Sequence, residues 1–153
     1  MTVHSWQKVW REGFAPQISD AGLEALKEAL ITDDPRLIQG ATCSPPPLPC
    51  VADWPVEGGC AITYCGWQGD HLPTVEKVED YFAQRCLEAN QLLGEPAACL
   101  WFLNWFDDTP RGQMRTELLA EVRRSLRERE SHGQETQAED APGGVGAALD
   151  TRD

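Results

Sequence analysis

Residues 74–93 read TVEKVEDYFAQRCLEANQLL, and this stretch decides the fold because its apolar side chains recur at helical spacing. The apolar stripe comprises Val75, Val78, Phe82, Cys86, Ala89 and Leu93. Thr74 suits the N-cap position, Glu76 suits the positive end of the helix dipole, and Gly94 suits the C-terminal stop. The segment therefore predicts an amphipathic helix over residues 74–93.

Three further segments show helical spacing. Residues 19–32 carry a leucine stripe, and residues 110–130 carry a second apolar stripe. The members are Leu23, Leu26 and Leu30 in the first, and Met114, Leu118, Leu119, Val122 and Leu126 in the second. Trp6 and Trp10 are four residues apart, which predicts a short N-terminal helix with both indoles directed inward.

Residues 97–106 read AACLWFLNWF and are apolar almost all round. A helix of this composition belongs in the centre of a bundle, and it is too short to cross a membrane. We therefore predict a central helix in which Trp101 is a core residue.

Prolines and glycines punctuate these segments. Proline is favoured in the first turn of a helix, and glycine is favoured just after the last turn. The prolines in such positions are Pro35, Pro55, Pro96 and Pro110, and the glycines are Gly40, Gly66 and Gly94. The chain is thus predicted to be a series of short helices joined by tight turns.

Residues 55–66 fit two structures. Val56, Cys60 and Tyr64 have helical spacing, whereas residues 60–65 are rich in strand-forming side chains. We prefer a helix because a single strand has nothing obvious to pair with. The predicted fold class is all-α, a single-domain bundle of five to six short helices. The alternative is an α+β fold with a short strand at residues 60–65.

Residues 131–153 read SHGQETQAEDAPGGVGAALDTRD and contain no aromatic residue and no apolar periodicity. Such a segment buries too little apolar surface to offset its chain entropy. We predict a helical domain over residues 3–130 and a disordered acidic C-terminal tail over residues 131–153.

The 153 residues have a formal net charge of −12, unevenly distributed. Residues 1–110 carry 6 basic and 16 acidic side chains, whereas residues 111–129 carry 6 Arg and 3 Glu. An acidic body disfavours sequence-independent binding of nucleic acid, which needs a cationic face. No apolar run reaches the ~18 residues that span a bilayer, and no secretory signal pattern is visible. We therefore expect a cytoplasmic location.

Six cysteines raise the question of a disulfide or a metal site. They include no CxxC pair, and disulfides are not expected without a secretory signal. The candidate metal ligands are Cys43, Cys50, Cys60 and Cys65. Cys86 and Cys99 lie in apolar helical segments, where a free cysteine acts as a small hydrophobic residue.

One catalytic dyad fits the residues present, namely Cys65 with His71, oriented by Asp70 or Asp53. A polar turn with an exposed histidine explains the same residues. Adjacent acidic residues before prolines fit helix caps, and no glycine-rich phosphate-binding motif is present. The sequence therefore predicts no catalytic residue and no cofactor.

Aromatic and cationic side chains supply the candidate interaction residues. Six tryptophans belong by default in the core, but Trp54 and Trp67 flank a loop region and could anchor a protein partner. The run SPPPLP, residues 44–49, can adopt polyproline II or form an ordinary rigid loop. A second candidate surface on the polar face of the last helix comprises Arg123, Arg124 and Arg127.

Arg115 differs from these arginines because it falls within the apolar stripe of residues 110–130. A guanidinium there must either reach the rim or pair with a buried carboxylate. We predict that Arg115 is at least half buried and paired with an acid; the alternative is a narrower stripe and a solvated arginine. The candidate acids are Glu79, Asp80, Glu88, Asp107 and Asp108.

Together these features favour a small acidic soluble protein that acts through protein–protein interaction, as an adaptor, inhibitor or accessory factor, without catalysis. A protein partner is expected, whereas direct binding of nucleic acid or membrane is not. Two alternatives stay open. One is a Cys-ligated metal or redox protein, and the other is a small enzyme that uses Cys65 and His71.

Overall fold

A computed structural model describes the backbone of residues 5–140 and the side chains of residues 5–132. Within these residues the chain forms six α-helices and one two-stranded antiparallel sheet. The helices are α1 (Trp6–Val9), α2 (Asp20–Thr32), α3 (Ala61–Tyr64), α4 (Val75–Leu93), α5 (Cys99–Asp108) and α6 (Arg111–Asp140), and the strands are β1 (Cys43–Ser44) and β2 (Gly58–Gly59). The predicted helical bundle is confirmed.

Aromatic rings join the N-terminal segment to α5. Phe102 has no exposed surface, and its ring centroid lies 5.5 Å from that of Trp10 and 5.3 Å from that of Phe14. Trp6 stacks on Trp105 with ring centroids 3.6 Å apart. Both N-terminal indoles are therefore directed inward, as their spacing predicts.

The α5 helix is buried on one side rather than all round. Phe102 and Phe106 are inaccessible, whereas Leu100 is 48% exposed and Trp101 is only partly buried. The prediction that Trp101 is a core residue is therefore corrected to Phe102 and Phe106. The reason is that α1 and α4 contact α5, whereas other positions of the helix, such as Leu100 and Asn104, are exposed.

Both bounds of α2 match the helix predicted over residues 19–32. The Ser19 side chain accepts a hydrogen bond from the backbone of the first turn, and all three leucines of the predicted stripe are buried. Pro35 and Gly40, which the sequence marks as helix punctuation, bound none of the described helices. The last residue of α2 is Thr32, and its C-cap Asp33 has a left-handed φ of 55°. Aspartate visits this conformation more readily than most residues because its short polar side chain bonds locally.

Residues 55–66 do not form one continuous helix. Gly58–Gly59 pair with β1, and α3 begins only at Ala61, so the helix predicted from Pro55 is corrected. The chain continues through a π-helical turn at Cys65–Gly69, which places Gly66 inside helical structure rather than at its end. Glycine is unfavourable in a helix interior but has no side chain to obstruct close backbone pairing.

Both ends of α4 match the prediction. The Thr74 side chain accepts a hydrogen bond from the backbone N–H of Lys77, and Gly94 forms the left-handed C-cap with a φ of 70°. Val75 and Val78 are buried as the stripe requires. The helix is therefore bounded by local signals that the sequence displays directly.

The last helix, α6, is continuous to Asp140. Its inward residues Met114, Leu118 and Val122 are fully buried. The chain divides into two units, residues 1–123 and residues 124–153. The predicted domain end at residue 130 and the predicted disorder after it stay predictions, and residues 141–153 of that tail lie outside the described residues.

Arg115 is more than half buried, as predicted, but its partners differ. Its side chain is 30% exposed and donates hydrogen bonds to the carbonyls of Leu30 (2.9 Å) and Ile31 (3.2 Å). The nearest acid is Asp33, at 3.7 Å, rather than any of the five predicted carboxylates. The last carbonyls of a helix have no intrahelical partner and carry the negative end of the dipole, so they attract a guanidinium.

Replacing Arg115 by methionine should lower the free energy of unfolding by about 1 kcal/mol or more, since it removes charge-assisted hydrogen bonds to these carbonyls. Arg123 is exposed, and Arg123→Met should change stability by less than about 0.5 kcal/mol. Urea denaturation of the two variants measures the difference. Equal, small effects would show that Arg115 does not stabilise the end of α2.

Candidate functional site

The chain between β1 and β2 forms an exposed proline-rich loop, residues 45–57, which we call the proline loop. The pairing of β1 with β2 ties its two ends together. Within it, the N–H of Val51 donates to the carbonyl of Leu48 and the N–H of Trp54 donates to the carbonyl of Val51, each at 3.0 Å. Proline also restricts the backbone. The loop therefore has a defined shape.

The inner side of the proline loop is anchored. Val51 and Val56 are buried in a small core with residues of β1 and α4. The N–H groups of Val75 and Glu76, in the first turn of α4, donate to loop carbonyls at 3.0 and 2.8 Å. Side-chain packing and backbone hydrogen bonds thus hold the loop against α4.

The exposed surface of the proline loop is largely apolar, and we call it the apolar face. Leu48 and Trp54 are each 53% exposed. The prolines at positions 46, 47 and 49 are also exposed. Aromatic side chains dominate binding energy at protein interfaces, and a prearranged loop loses little entropy when it binds. This face has the properties of a preformed apolar anchor.

Carboxylates border this apolar face. Asp53 and Glu57 are exposed within the loop, and Glu76 is exposed on the helical turn that bonds to it. Lys77 is an exposed base beside Glu76. The rim thus carries more negative than positive charge.

Trp67 is the second predicted anchor residue, and it packs against the small core that holds the proline loop. Its ring meets the edge of the Tyr64 ring at 5.7 Å. The Arg36 guanidinium lies 5.3 Å above the Trp67 ring. Arg36 also bonds to Asp34, and that bond above all holds the pKa of the Asp34 carboxyl well below its ordinary value. Trp67 is therefore engaged within the fold.

The predicted arginine surface on α6 includes residues from both units. In the first unit, Arg123 is exposed. In the second, Arg124 forms an ion pair with Glu128 at 3.1 Å, and Arg127 is exposed. An exposed pair of this spacing contributes only about 0.3–0.5 kcal/mol to its helix.

The four predicted metal ligands occupy different surroundings. Cys50 is exposed on the proline loop, whereas Cys60 and Cys65 are buried. Burial, followed by the nearby charge of Glu79, raises the pKa of Cys43 to about 12. Within the part of the chain that the structure describes, no group of three or more His, Cys, Asp or Glu residues could hold a metal ion. The geometry lends the metal hypothesis no support.

Cys65 and His71 also lie in contrasting surroundings. Cys65 is fully buried, and burial above all raises its pKa, which disfavours the nucleophilic thiolate. His71 is exposed and has a left-handed φ of 62°. The proposed orienter Asp70 instead accepts a hydrogen bond of 2.6 Å from the hydroxyl of Ser19, the N-cap of α2. These surroundings fit structural roles.

Leu48 belongs to the exposed surface of the proline loop, and the sequence did not predict it as an interaction residue. It stands alone between prolines and belongs to no helical or alternating stripe. One signal could have identified it: prolines on both sides exclude Leu48 from a helix interior or a central strand, so no core layer is available to it.

The chain was also compared with membrane-spanning helices and with known proteins. Within residues 5–140, no helix combines the length and the apolar composition needed to cross a bilayer. No protein-family model, curated protein or solved structure matches this chain.

Proposed function

We propose that this chain is a non-enzymatic binding protein that uses the proline loop to dock on a basic protein partner. One observation carries the proposal: Leu48 and Trp54 are both half exposed on a loop whose backbone is already held in place. A loop that is ordered before binding avoids much of the entropic cost of association. The role is that of an adaptor, inhibitor or accessory factor.

The charge around the loop specifies the partner's chemistry. The partner should offer an apolar pocket for the Trp54 indole, bordered by Lys or Arg side chains that face Asp53 and Glu57. Residues 1–110, with 6 basic and 16 acidic side chains, should also attract such a partner from a distance. The same carboxylates repel the phosphate backbone of nucleic acids. The six free thiols suit a reducing compartment such as the cytoplasm.

Trp54→Ser should weaken partner binding by about 30-fold or more, since truncating an interface hot spot costs about 2 kcal/mol or more. Affinity capture with the full chain from its native host identifies candidates, and titration with the purified candidate measures the dissociation constant. The association rate should fall as salt concentration rises, because salt screens the attraction between the acidic rim and the basic partner.

Leu87→Ser is the matched control because Leu87 is 54% exposed on α4, away from the proline loop in sequence. It should bind the partner within about twofold of the unsubstituted chain, as near-neutral positions do. Equal losses from both variants would refute the loop as the anchor. A captured partner with an acidic binding face, or an association rate independent of salt, would refute the proposed partner chemistry.

A further inference from the structure

A cavity of about 220 Å³ lies between α5 and the chain that leads into β1. The described residues that line it come from residues 40–42, from Cys60, from Phe82 on α4 and from α5. None of these lining residues belongs to the proline loop, so the cavity is separate from the surface proposed above to bind a protein partner. It is a second candidate site with its own chemistry.

Hydrogen bonds fix two sides of the cavity relative to each other. The Gln39 side-chain amide donates to the carbonyls of Phe106 and Thr109, at 2.7 and 2.8 Å. The next residue, Gly40, donates its backbone N–H to a carboxylate oxygen of Asp107 at 2.9 Å. These bonds attach the segment before β1 to the C-terminal end of α5. Walls held in this way need little ordering when a ligand binds.

The cavity has a buried inner wall and an exposed mouth. Cys60 belongs to the inner wall and is 4% exposed, and its backbone N–H donates to the carbonyl of Thr42 at 3.0 Å. At the mouth, Leu100 is 48% exposed and Asn104 is also exposed. A small molecule therefore has a route from solvent to the inner wall.

Three residues of the lining offer oxygen atoms to a ligand. Among the described residues that line the cavity, Asp107 is the only charged one. Gly40 occupies one of its carboxylate oxygens, and the second oxygen remains for a ligand. Thr42 carries a hydroxyl oxygen, and Asn104 carries an amide oxygen. A primary ammonium group has a positive charge and three N–H donors, which match the carboxylate and the three acceptors.

Apolar side chains form another part of the lining. They are Phe82 on α4 and Leu100 and Leu103 on α5. A cavity of about 150 Å³ holds one benzene molecule, so a cavity of about 220 Å³ has room for roughly six to ten non-hydrogen atoms. This size and this lining suit a short hydrocarbon chain attached to the ammonium group.

We infer that this cavity binds a small primary alkylammonium compound, with the ammonium group at Asp107 and the hydrocarbon chain against Phe82 and Leu103. The excess of acidic side chains in residues 1–110 favours the approach of a cation. A carboxylate ligand of the same shape would be repelled by Asp107, and a neutral alcohol would form weaker hydrogen bonds because it lacks the charge.

The test titrates the full chain, at neutral pH and constant ionic strength, with isopentylamine, isopentyl alcohol and isovalerate. These molecules share one branched skeleton and differ in charge. The amine should shift the backbone amide resonances of Gly40 and Thr42, with a dissociation constant of about 1 mM, which is reasonable for a ligand of about six non-hydrogen atoms. The alcohol and the carboxylate should each bind about tenfold more weakly or worse, since they lack charge-assisted donors.

Asp107→Asn removes the charge but keeps an oxygen that can accept the hydrogen bond from Gly40. It should weaken binding of isopentylamine by about tenfold or more. Asp108→Asn is the matched control because Asp108 is the next residue, is exposed and is not among the residues that line the cavity. This control should bind the amine within about twofold of the unsubstituted chain.

Equal affinities for the amine and the carboxylate, resonance shifts only outside the cavity, or no binding at about 10 mM amine would overturn the proposal. Equal losses from the two variants would also overturn it. A blocked lysine, N-acetyl-lysine methylamide, presents the same ammonium group on a peptide backbone. If it binds more tightly than isopentylamine, a lysine side chain of a protein replaces the small molecule as the ligand, and the proposal fails. The comparison of ligands on the unsubstituted chain is decisive by itself, so a variant that fails to fold does not obscure the result.

Discussion

Replacing Phe102 by alanine should lower the free energy of unfolding by about 3–5 kcal/mol, the range for large aromatic truncations in a packed core. Phe102 has no exposed surface, and its ring lies among the aromatic rings that join α5 to the N-terminal segment. These rings are Trp6, Trp10, Phe14, Trp105 and Phe106. The loss approaches the whole stability of an ordinary domain, about 5–15 kcal/mol. Chemical denaturation of the full chain measures it.

Leu100→Ala provides the control on the same helix. Leu100 is 48% exposed, so its truncation leaves no closed cavity and should cost less than about 1 kcal/mol. Trp101→Ala should fall between the two because its side chain is only partly buried. A smaller loss from Phe102→Ala than from Trp101→Ala would place the centre of the core where the sequence analysis expected it, at Trp101.

The second large effect is expected at Gly69, where the π-helical turn crosses α2. A Cβ atom added to Gly69 would lie 2.5 Å from the backbone nitrogen of Gly22, and it would also clash with the Gly22 Cα. The atoms that the new Cβ would meet belong to the backbone of Gly22, so no side-chain rotation can relieve the clash. Gly69→Ala should therefore cost about 3 kcal/mol, at the upper end of the overpacking range. The melting temperature should fall accordingly.

Gly112→Ala makes the same chemical change where space is open. A Cβ atom at Gly112, in the first turn of α6, would meet nothing within 4 Å. Alanine is favoured over glycine in a helix by about 0.5–1 kcal/mol, so this variant should be slightly more stable than the unsubstituted chain. If Gly69→Ala also stabilised the protein, the close crossing of the two backbones would be wrong.

The two ends of α2 show which helix boundaries the sequence displays. Ser19 caps the start through a hydrogen bond within one turn, so the signal is local and was predicted. At the other end Asp33 forms the left-handed cap and bonds to Arg111, which is 78 residues away in the chain. No local pattern announces a partner at that distance, although the stripe over residues 19–32 predicted the residue at which the helix ends.

Residues 55–66 show how a non-local interaction overrides a local pattern. Val56, Cys60 and Tyr64 have helical spacing, but Gly58–Gly59 pair with β1 instead. The backbone hydrogen bonds of this pairing come from a segment on the far side of the proline loop. Periodicity within residues 55–66 contains no information about that segment.

The candidate site was predictable in part. The proline run indicated a rigid loop, and Trp54 and Trp67 were both marked as possible anchors. In the structure Trp67 packs against the small core, whereas Trp54 is 53% exposed. Only the tertiary packing of α4 and this core determines that difference. The composition gives the number of apolar residues in a chain, but it does not indicate which of them the fold buries.

The sequence by itself determined the helical class, the bounds of α2 and α4, and the acidic charge. Capping and periodicity act among residues within a few turns, so a short segment is enough to display them. Only the tertiary structure decided that the backbones at Gly22 and Gly69 nearly touch and that Arg115 bonds to the end of α2. These contacts join segments far apart in the chain. They exist because whole helices pack at fixed distances, which no single segment specifies.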